Sequence, residues 1–115
     1  LINVAYQTQE FVLSKIKAGV TASEVAKAHE EFVKSKGYGD WLLYGPCHGN
    51  GQMEGEAPWI ETTADFKLQE NMAFCADIFL GSKEKKIGLR IEDVIRVTDN
   101  GVENLTNYPK EFWEL

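Results

Sequence analysis

Three carboxylates interrupt apolar sequence in the second half of the chain, and they are the first residues that could do chemistry. Asp77 lies within AFCADIFL, and Glu92 and Asp93 lie within IGLRIEDVI. A carboxylate in a buried strand costs free energy unless it is paired or bound to a cation. If these two segments form a hairpin around residues 81–86, Asp77 and Glu92 can approach each other. With a histidine nearby, they would offer the mixed oxygen and nitrogen ligands that Mn, Co, Zn and Fe ions accept.

The nearby histidine is His48, in the glycine-rich stretch CHGNGQMEGEAP. Glycine and proline at this density predict a backbone that turns sharply and passes close to another group. A histidine in such a loop is often only exposed or hydrogen-bonded, however. Glu54 and Glu56 in the same stretch could act as general acids or bases, although solvated side chains are the simpler interpretation. The glycines do not form a phosphate-binding loop, because no Gly-Lys-Ser/Thr sequence follows them.

Spacing alone favours structural ion pairs over a metal site. Arg90 and Arg96 lie in the same segment as Glu92 and could neutralise either that residue or Asp77. The other polar candidates also have structural explanations. His29 is expected to be a satisfied, partly buried histidine, and the cysteines are expected to be packing residues rather than nucleophiles.

The composition is that of one globular domain. The chain has 115 residues and a net charge of −6, which argues against nucleic acid or an anionic membrane as the main partner. No apolar run approaches the roughly 20 residues needed to span a bilayer. Two cysteines are too few for a disulfide framework and predict reduced thiols in a cytoplasmic protein.

Apolar periodicity predicts the elements that must position these residues. Helical spacing favours helices over residues 3–18 and 22–36. Four later segments are predicted to be extended, namely residues 41–44, 58–63, 73–80 and 87–98. The last of these is expected to contain a bulge near Glu92 and Asp93, where the apolar alternation slips, and Asp-Asn-Gly at 99–101 predicts a hairpin turn. The sequence therefore predicts an α+β domain with an antiparallel second half.

The order of the motifs resembles one family. HGNG at 48–51, EAP at 56–58, NMAF at 71–74, GLRIED at 88–93 and VTDNGVENLT at 97–106 are similar to the C-terminal half of the pita-bread metallopeptidases. That family includes prolidase, aminopeptidase P, methionine aminopeptidase and creatinase. The resemblance implies that residues 1–115 are the C-terminal part of the catalytic pita-bread domain, with two helices followed by a curved antiparallel sheet. The chain is expected to be a fragment whose upstream half, with two metal-binding aspartates, is absent.

The resemblance also implies a site and a reaction. In the family, two metal ions are held by two aspartates, one histidine and two glutamates, and the positions that match here are His48, Asp77 and Glu92. The full-length protein would then use two divalent ions, of Mn, Co, Zn or Fe, to activate a water that attacks an N-terminal Xaa-Pro bond in a small peptide or amide. Family members are often dimers, so a homodimer is a further expectation. The isolated chain is expected to be inactive.

Two departures from the family pattern leave the chemistry open. Gly55 stands where the peptidases usually carry a second histidine that contacts the substrate, and Asp77 replaces a glutamate that Pro-Gly normally follows. Glu56 and the position of Gly55 are therefore the catalytic candidates. A creatinase-like C–N hydrolase, a lyase, and a non-catalytic relative that keeps the fold for binding remain as alternatives.

Overall fold

The structure is a computed structural model that describes residues 1–111. The sequence favours core or interface positions for its three tryptophans, and one of them, Trp113, lies outside the described residues. Two helices come first, α1 (Ile2–Lys15) and α2 (Ala22–Ser35), and a 3-10 turn follows at Gly39–Trp41. Five strands complete the described chain: β1 (Cys47–Gly49), β2 (Glu56–Ile60), β3 (Ala73–Ser82), β4 (Ile87–Val97) and β5 (Val102–Asn104). Neither helix has the length and apolar content needed to cross a bilayer. The predicted α+β order is confirmed.

All five strands belong to one antiparallel sheet, in the order β2-β1-β3-β4-β5. The hairpin of β3 and β4 forms its centre, and the register runs unbroken from Ala73 opposite Arg96 to Ser82 opposite Ile87. The bulge predicted in β4 is therefore wrong. The apolar alternation slips because Asp93 lies on the same face of β4 as Ile91 and Ile95. Its carboxylate accepts a hydrogen bond from Asn104 Nδ2 at 3.1 Å and lies 3.9 Å from Lys110 Nζ.

The helices pack against one face of this sheet and form the core with it. Side chains alternate along a strand, so every second residue of β3 points to the helices, and these residues are fully buried: Phe74, Ala76, Ile78 and Leu80. The helices contribute buried residues at helical spacing, including Val12 of α1 with Val25 and Val33 of α2. Burial of each large apolar side chain contributes about 1.5–3 kcal/mol. The intervening residues of β3, among them Cys75 and Asp77, point to the opposite face.

Two local predictions fail because tertiary contacts override the local pattern. Helix α1 ends at Lys15, since the chain turns extended at Ile16 and the Ala18 N–H donates to the Thr98 carbonyl at 2.9 Å. The strand predicted at 41–44 is reduced to one bridge between Leu42 and Leu80, after the 3-10 turn. The turn at 99–101 is confirmed by the pairing of β4 with β5.

His29 is a third correction. It lies in α2 and is 2% exposed, as a core position requires. Neither of its ring nitrogens has a hydrogen-bond partner among the described residues, so it is not the satisfied histidine that the sequence predicts. Burial lowers its pKa to about 4, which keeps the ring neutral.

Candidate metal centre

The sheet brings the predicted ligand residues together on the face away from the helices. His48 in β1 lies opposite Cys75 in β3, and Asp77 lies opposite Glu92 in β4. Residues directly opposed in antiparallel strands point to the same face, with Cβ atoms about 4.5–5.5 Å apart. The predicted approach of Asp77 to Glu92 is therefore confirmed, and the strand pairing adds His48 to the same cluster.

His48 presents one ring nitrogen to the two carboxylates. The residue is 6% exposed, and its Nδ1 lies 2.9 Å from the Gly49 carbonyl oxygen, so Nδ1 carries the proton. Its Nε2 lies 3.5 Å from Asp77 Oδ2 and 3.2 Å from Glu92 Oε1. In a neutral ring, three acceptor atoms then face one another. A proton on Nε2 or a cation among the three atoms would make this arrangement favourable.

The carboxylate of Glu92 is only half satisfied. Its Oε2 lies 3.1 Å from Arg90 Nη2. Its Oε1 is buried, has no hydrogen-bonding partner among the described residues, and lies 3.2 Å from the Nε2 of His48. A buried acceptor left without a donor costs about 1–3 kcal/mol. This oxygen and the free lone pair on His48 Nε2 fit a bound divalent cation.

Arg90 provides the structural ion pairs that spacing alone favours. Its Nε donates to Asp77 Oδ1 at 2.9 Å, and its Nη2 donates to Glu54 Oε1 at 2.5 Å. The other oxygen of Asp77 accepts a hydrogen bond from the Tyr44 hydroxyl at 3.0 Å. Both oxygens of this nearly buried carboxylate are therefore satisfied by the protein. The candidate metal ligands and the ion pairs are neighbours in the structure, and one arrangement does not exclude the other.

Arg96 takes no part in the cluster. Its guanidinium pairs with Glu103 on β5, with Nη2 2.6 Å from Oε2, and its Nη1 donates to Asn71. Of the two arginines that could neutralise the central carboxylates, only Arg90 does so.

The charges of the cluster shift the pKa values of its neighbours. Burial and then the hydrogen bond to Asp77 raise the pKa of Tyr44 to about 12, so the phenol remains a donor at neutral pH. The hydrogen bond from Arg90 lowers the pKa of the exposed Glu54 carboxyl. Hydrogen bonds to Asp77 and Glu54 raise the pKa of Arg90 above its usual range, so its positive charge is permanent.

Cys75 is a candidate ligand that the sequence reasoning missed. One ring nitrogen of His48, the Cys75 sulfur and one oxygen of Glu92 all lie within 4.8 Å of one another. Burial, followed by the nearby Glu92 carboxylate, raises the pKa of Cys75 to about 11. Burial also raises the pKa of Cys47, which faces the core. Both residues are therefore thiols rather than nucleophilic thiolates at neutral pH, in agreement with the prediction. The signal for Cys75 was its place two residues before Asp77, on the same face of one strand.

A cavity of about 360 Å³ opens beside the cluster and is lined in part by His48, Asp77 and Arg90. Its size falls within the range of sites for small molecules. Trp59 forms part of the wall, with its ring centroid 5.9 Å from that of His48. A Cβ atom added at Gly55 would lie 3.9 Å from His48 Nδ1 and 3.7 Å from the Trp59 ring. These are ordinary contacts, so the absence of a side chain at Gly55 enlarges the space beside His48.

Glu56 does not line this cavity. Its Oε2 accepts a hydrogen bond from the Met53 N–H at 3.1 Å, and a Cβ atom at Gly51 would overlap its carboxylate. In this geometry Glu56 stabilises the glycine-rich loop through its hydrogen bond with the Met53 N–H. Its catalytic role, like that of the Gly55 position, stays a prediction.

The chain resembles known proteins over nearly its whole length. The sequence model of metallopeptidase family M24 matches residues 1–99. The Xaa-Pro dipeptidase of Pyrococcus furiosus is 30% identical over 113 residues, which cover 96% of this chain and 32% of that protein. The crystal structure of X-Pro aminopeptidase from Thermotoga maritima superposes with a TM-score of 0.89 at 32% identity, over 97% of this chain and 31% of that one. The structure of the Xaa-Pro dipeptidase from Bacillus anthracis superposes with a TM-score of 0.87 at 33% identity, over 96% of this chain and 31% of that one.

These matches confirm the predicted fold, which is part of a pita-bread domain with two helices followed by a curved antiparallel sheet. The chain spans about a third of the length of these relatives.

Proposed function

Because this chain belongs to metallopeptidase family M24, we propose that the protein containing it is a metal-dependent hydrolase that cleaves an N-terminal Xaa-Pro bond. The observation that carries the proposal is the unpaired Oε1 of Glu92, which lies 3.2 Å from the Nε2 of His48. The relatives named Xaa-Pro dipeptidase and X-Pro aminopeptidase support the choice of bond.

His48, Asp77 and Glu92 are the proposed metal ligands of this chain. In this proposal they contribute to a site for two divalent ions, of Mn, Co, Zn or Fe, and the remaining ligands come from outside the chain. Bound ions would lower the pKa of a water molecule and polarise the scissile carbonyl. To join them, Asp77 would exchange its hydrogen bond from Tyr44 or Arg90 for a bond to metal.

The residues around the cavity suit a small peptide or amide. Trp59 and Tyr44 line it and are 46% and 45% exposed, so their rings can pack against an apolar residue such as proline. Arg90 holds Asp77 and Glu54 in fixed positions through its permanent charge. We also propose that the protein is cytoplasmic, with Cys47 and Cys75 as free thiols. The homodimer stays a prediction.

Gly55 supports a second candidate within the same family. The space that its missing side chain leaves beside His48 and Trp59 would admit a substrate other than an Xaa-Pro peptide. A creatinase-like C–N hydrolase or a lyase is therefore the alternative, and the two are separated by substrate preference.

The test uses the intact protein that contains this chain, freed of metal and then reloaded with Mn²⁺ or Co²⁺. We expect turnover of Xaa-Pro dipeptides to require metal and to fall by about 100-fold or more in His48→Ala, since even outer-shell partners of a metal ligand contribute 10–100-fold. His29→Ala is the matched control, because it removes the other buried imidazole, outside the cluster. Peptide turnover that survives in His48→Ala would contradict the proposal, and preference for other amides would favour the second candidate.

A further inference from the structure

We propose that Cys75 is a metal ligand together with His48 and Glu92, so that the ion takes a thiolate as well as a nitrogen and an oxygen. The inference rests on the proposed use of a divalent metal, and it is independent of which peptide or amide is hydrolysed. It adds Cys75 to the proposed ligands of the site, and for the ion held by His48 and Glu92 it favours Cys75 over Asp77.

The three side chains converge from three neighbouring strands. His48 on β1 lies opposite Cys75 on β3. Glu92 on β4 lies opposite Asp77, which follows Cys75 by two residues on the same face of β3. Their ligand atoms all lie within 4.8 Å of one another. Zinc bonds to nitrogen, oxygen and sulfur measure about 2.0–2.3 Å, so side-chain movements on the order of 1 Å would bring all three into bonding range.

The hydrogen bonds of the cluster favour Cys75 over Asp77 as the third ligand of this ion. Both oxygens of Asp77 already accept hydrogen bonds, from Arg90 Nε at 2.9 Å and from the Tyr44 hydroxyl at 3.0 Å. Binding through Asp77 would break at least one of these contacts, which are stronger than neutral hydrogen bonds because the carboxylate is charged. Binding through Cys75 leaves both in place and also satisfies the free Oε1 of Glu92.

The surroundings suit a borderline-soft ion. Cys75 is 4% exposed and His48 is 6% exposed, so the protein shields these two ligands from bulk water, while His48 also borders the cavity. The thiol gives its proton to solvent as the metal–sulfur bond forms. Thiolate ligands favour Zn²⁺ and Co²⁺ over Mn²⁺, whose preferred ligands are oxygens. Three protein ligands that leave a fourth position of the ion free are the arrangement of a catalytic zinc site.

Cobalt spectroscopy tests the inference on the intact, metal-free protein, without an activity assay. We expect Co²⁺ to produce a thiolate-to-cobalt charge-transfer band in the near ultraviolet in the wild type. The band should be lost in Cys75→Ser. It should persist in Cys47→Ser, which changes the other buried cysteine, on the core side of β1. The Zn²⁺ affinity of Cys75→Ser should fall by roughly tenfold or more, with a much smaller change for Mn²⁺.

X-ray absorption of the zinc-loaded wild type gives a measurement that needs no variant to fold. A sulfur neighbour at about 2.3 Å supports the inference, and a shell of only nitrogen and oxygen at about 2.0–2.1 Å overturns it. A charge-transfer band that survives in Cys75→Ser also overturns it. In both of these cases the proposed hydrolase stands. If the wild type binds neither Co²⁺ nor Zn²⁺ nor Mn²⁺, the thiolate ligand and the metal-dependent hydrolase fail together.

Discussion

At the residue scale, Arg90 allows three acidic groups to share one small volume. Without it, the Asp77 carboxylate would lie at 2% exposure with only the Tyr44 hydroxyl as a partner. We expect Arg90→Met to lower the free energy of unfolding by about 1–3 kcal/mol, below the value for a fully buried pair because the Arg90 side chain is 42% exposed. Arg96→Met is the matched control, since its pair with Glu103 is more exposed and should contribute about 1 kcal/mol or less. If urea unfolding showed the same loss of unfolding free energy in Arg90→Met and Arg96→Met, this role for Arg90 would be contradicted.

The residue scale also shows how far the sequence predicts the site. Asp77 and Glu92 could be placed opposite each other because a short turn joins their strands and fixes the register of the hairpin. The approach of Cys75 to His48 could not be placed in this way. It depends on the pairing of β1 with β3, which are separated in sequence by the whole of β2 and the loops around it. The ligand set implied by the family resemblance contains no cysteine, so only the geometry brings this residue forward.

At the element scale, α2 carries an unpaired histidine into the core, which predicts an acid-sensitive stability. The pKa of His29 falls from 6.5 to about 4 because burial disfavours its charged form, and Glu30 and Glu61 line a small cavity beside it. Above pH 6.5 the ring is neutral in both the folded and the unfolded chain, so stability is full there. Below pH 6.5 the unfolded chain binds the proton first, so stability falls with pH until the loss is complete as the pH passes about 4. We expect the wild type to lose up to about 3 kcal/mol more than His29→Leu between pH 6.5 and 4. Parallel urea-unfolding curves for the two proteins over this range would contradict the prediction.

The same scale explains which elements the sequence could predict. Helix α2 and the hairpin of β3 and β4 follow their apolar periods because the packing on each repeats regularly along the element. The end of α1 depends on a hydrogen bond from Ala18 to Thr98, far away in sequence, and a local pattern contains no information about such a contact. The break in the apolar alternation of β4 does have a structural cause, but that cause is not a bulge. It marks Asp93, a polar residue in an apolar row with its own partners, rather than an extra residue in the strand.

At the scale of the whole molecule, the two faces of the sheet differ in what covers them. The helices bury one face, whereas large apolar side chains near the cavity remain open to solvent, among them Leu43 at 69% and Trp59 at 46% exposed. Relatives that share this fold are about three times as long. An open, partly apolar face beside an incomplete set of ligands is what part of a larger catalytic domain should present.

We therefore expect the isolated 115-residue chain to bind Zn²⁺ but to hydrolyse neither Xaa-Pro peptides nor other amides. Three ligands suffice to hold an ion. In the proposed mechanism a second ion, whose ligands lie outside this chain, is also needed to activate the water and to stabilise the charge that develops on the substrate. The measurement compares the isolated chain with the intact protein at equal molar concentration and equal metal, after circular dichroism has established that the chain is folded. Metal-dependent turnover by the chain alone, abolished in its His48→Ala variant, would show that these residues form a complete active site and would overturn the proposal that the remaining ligands lie elsewhere.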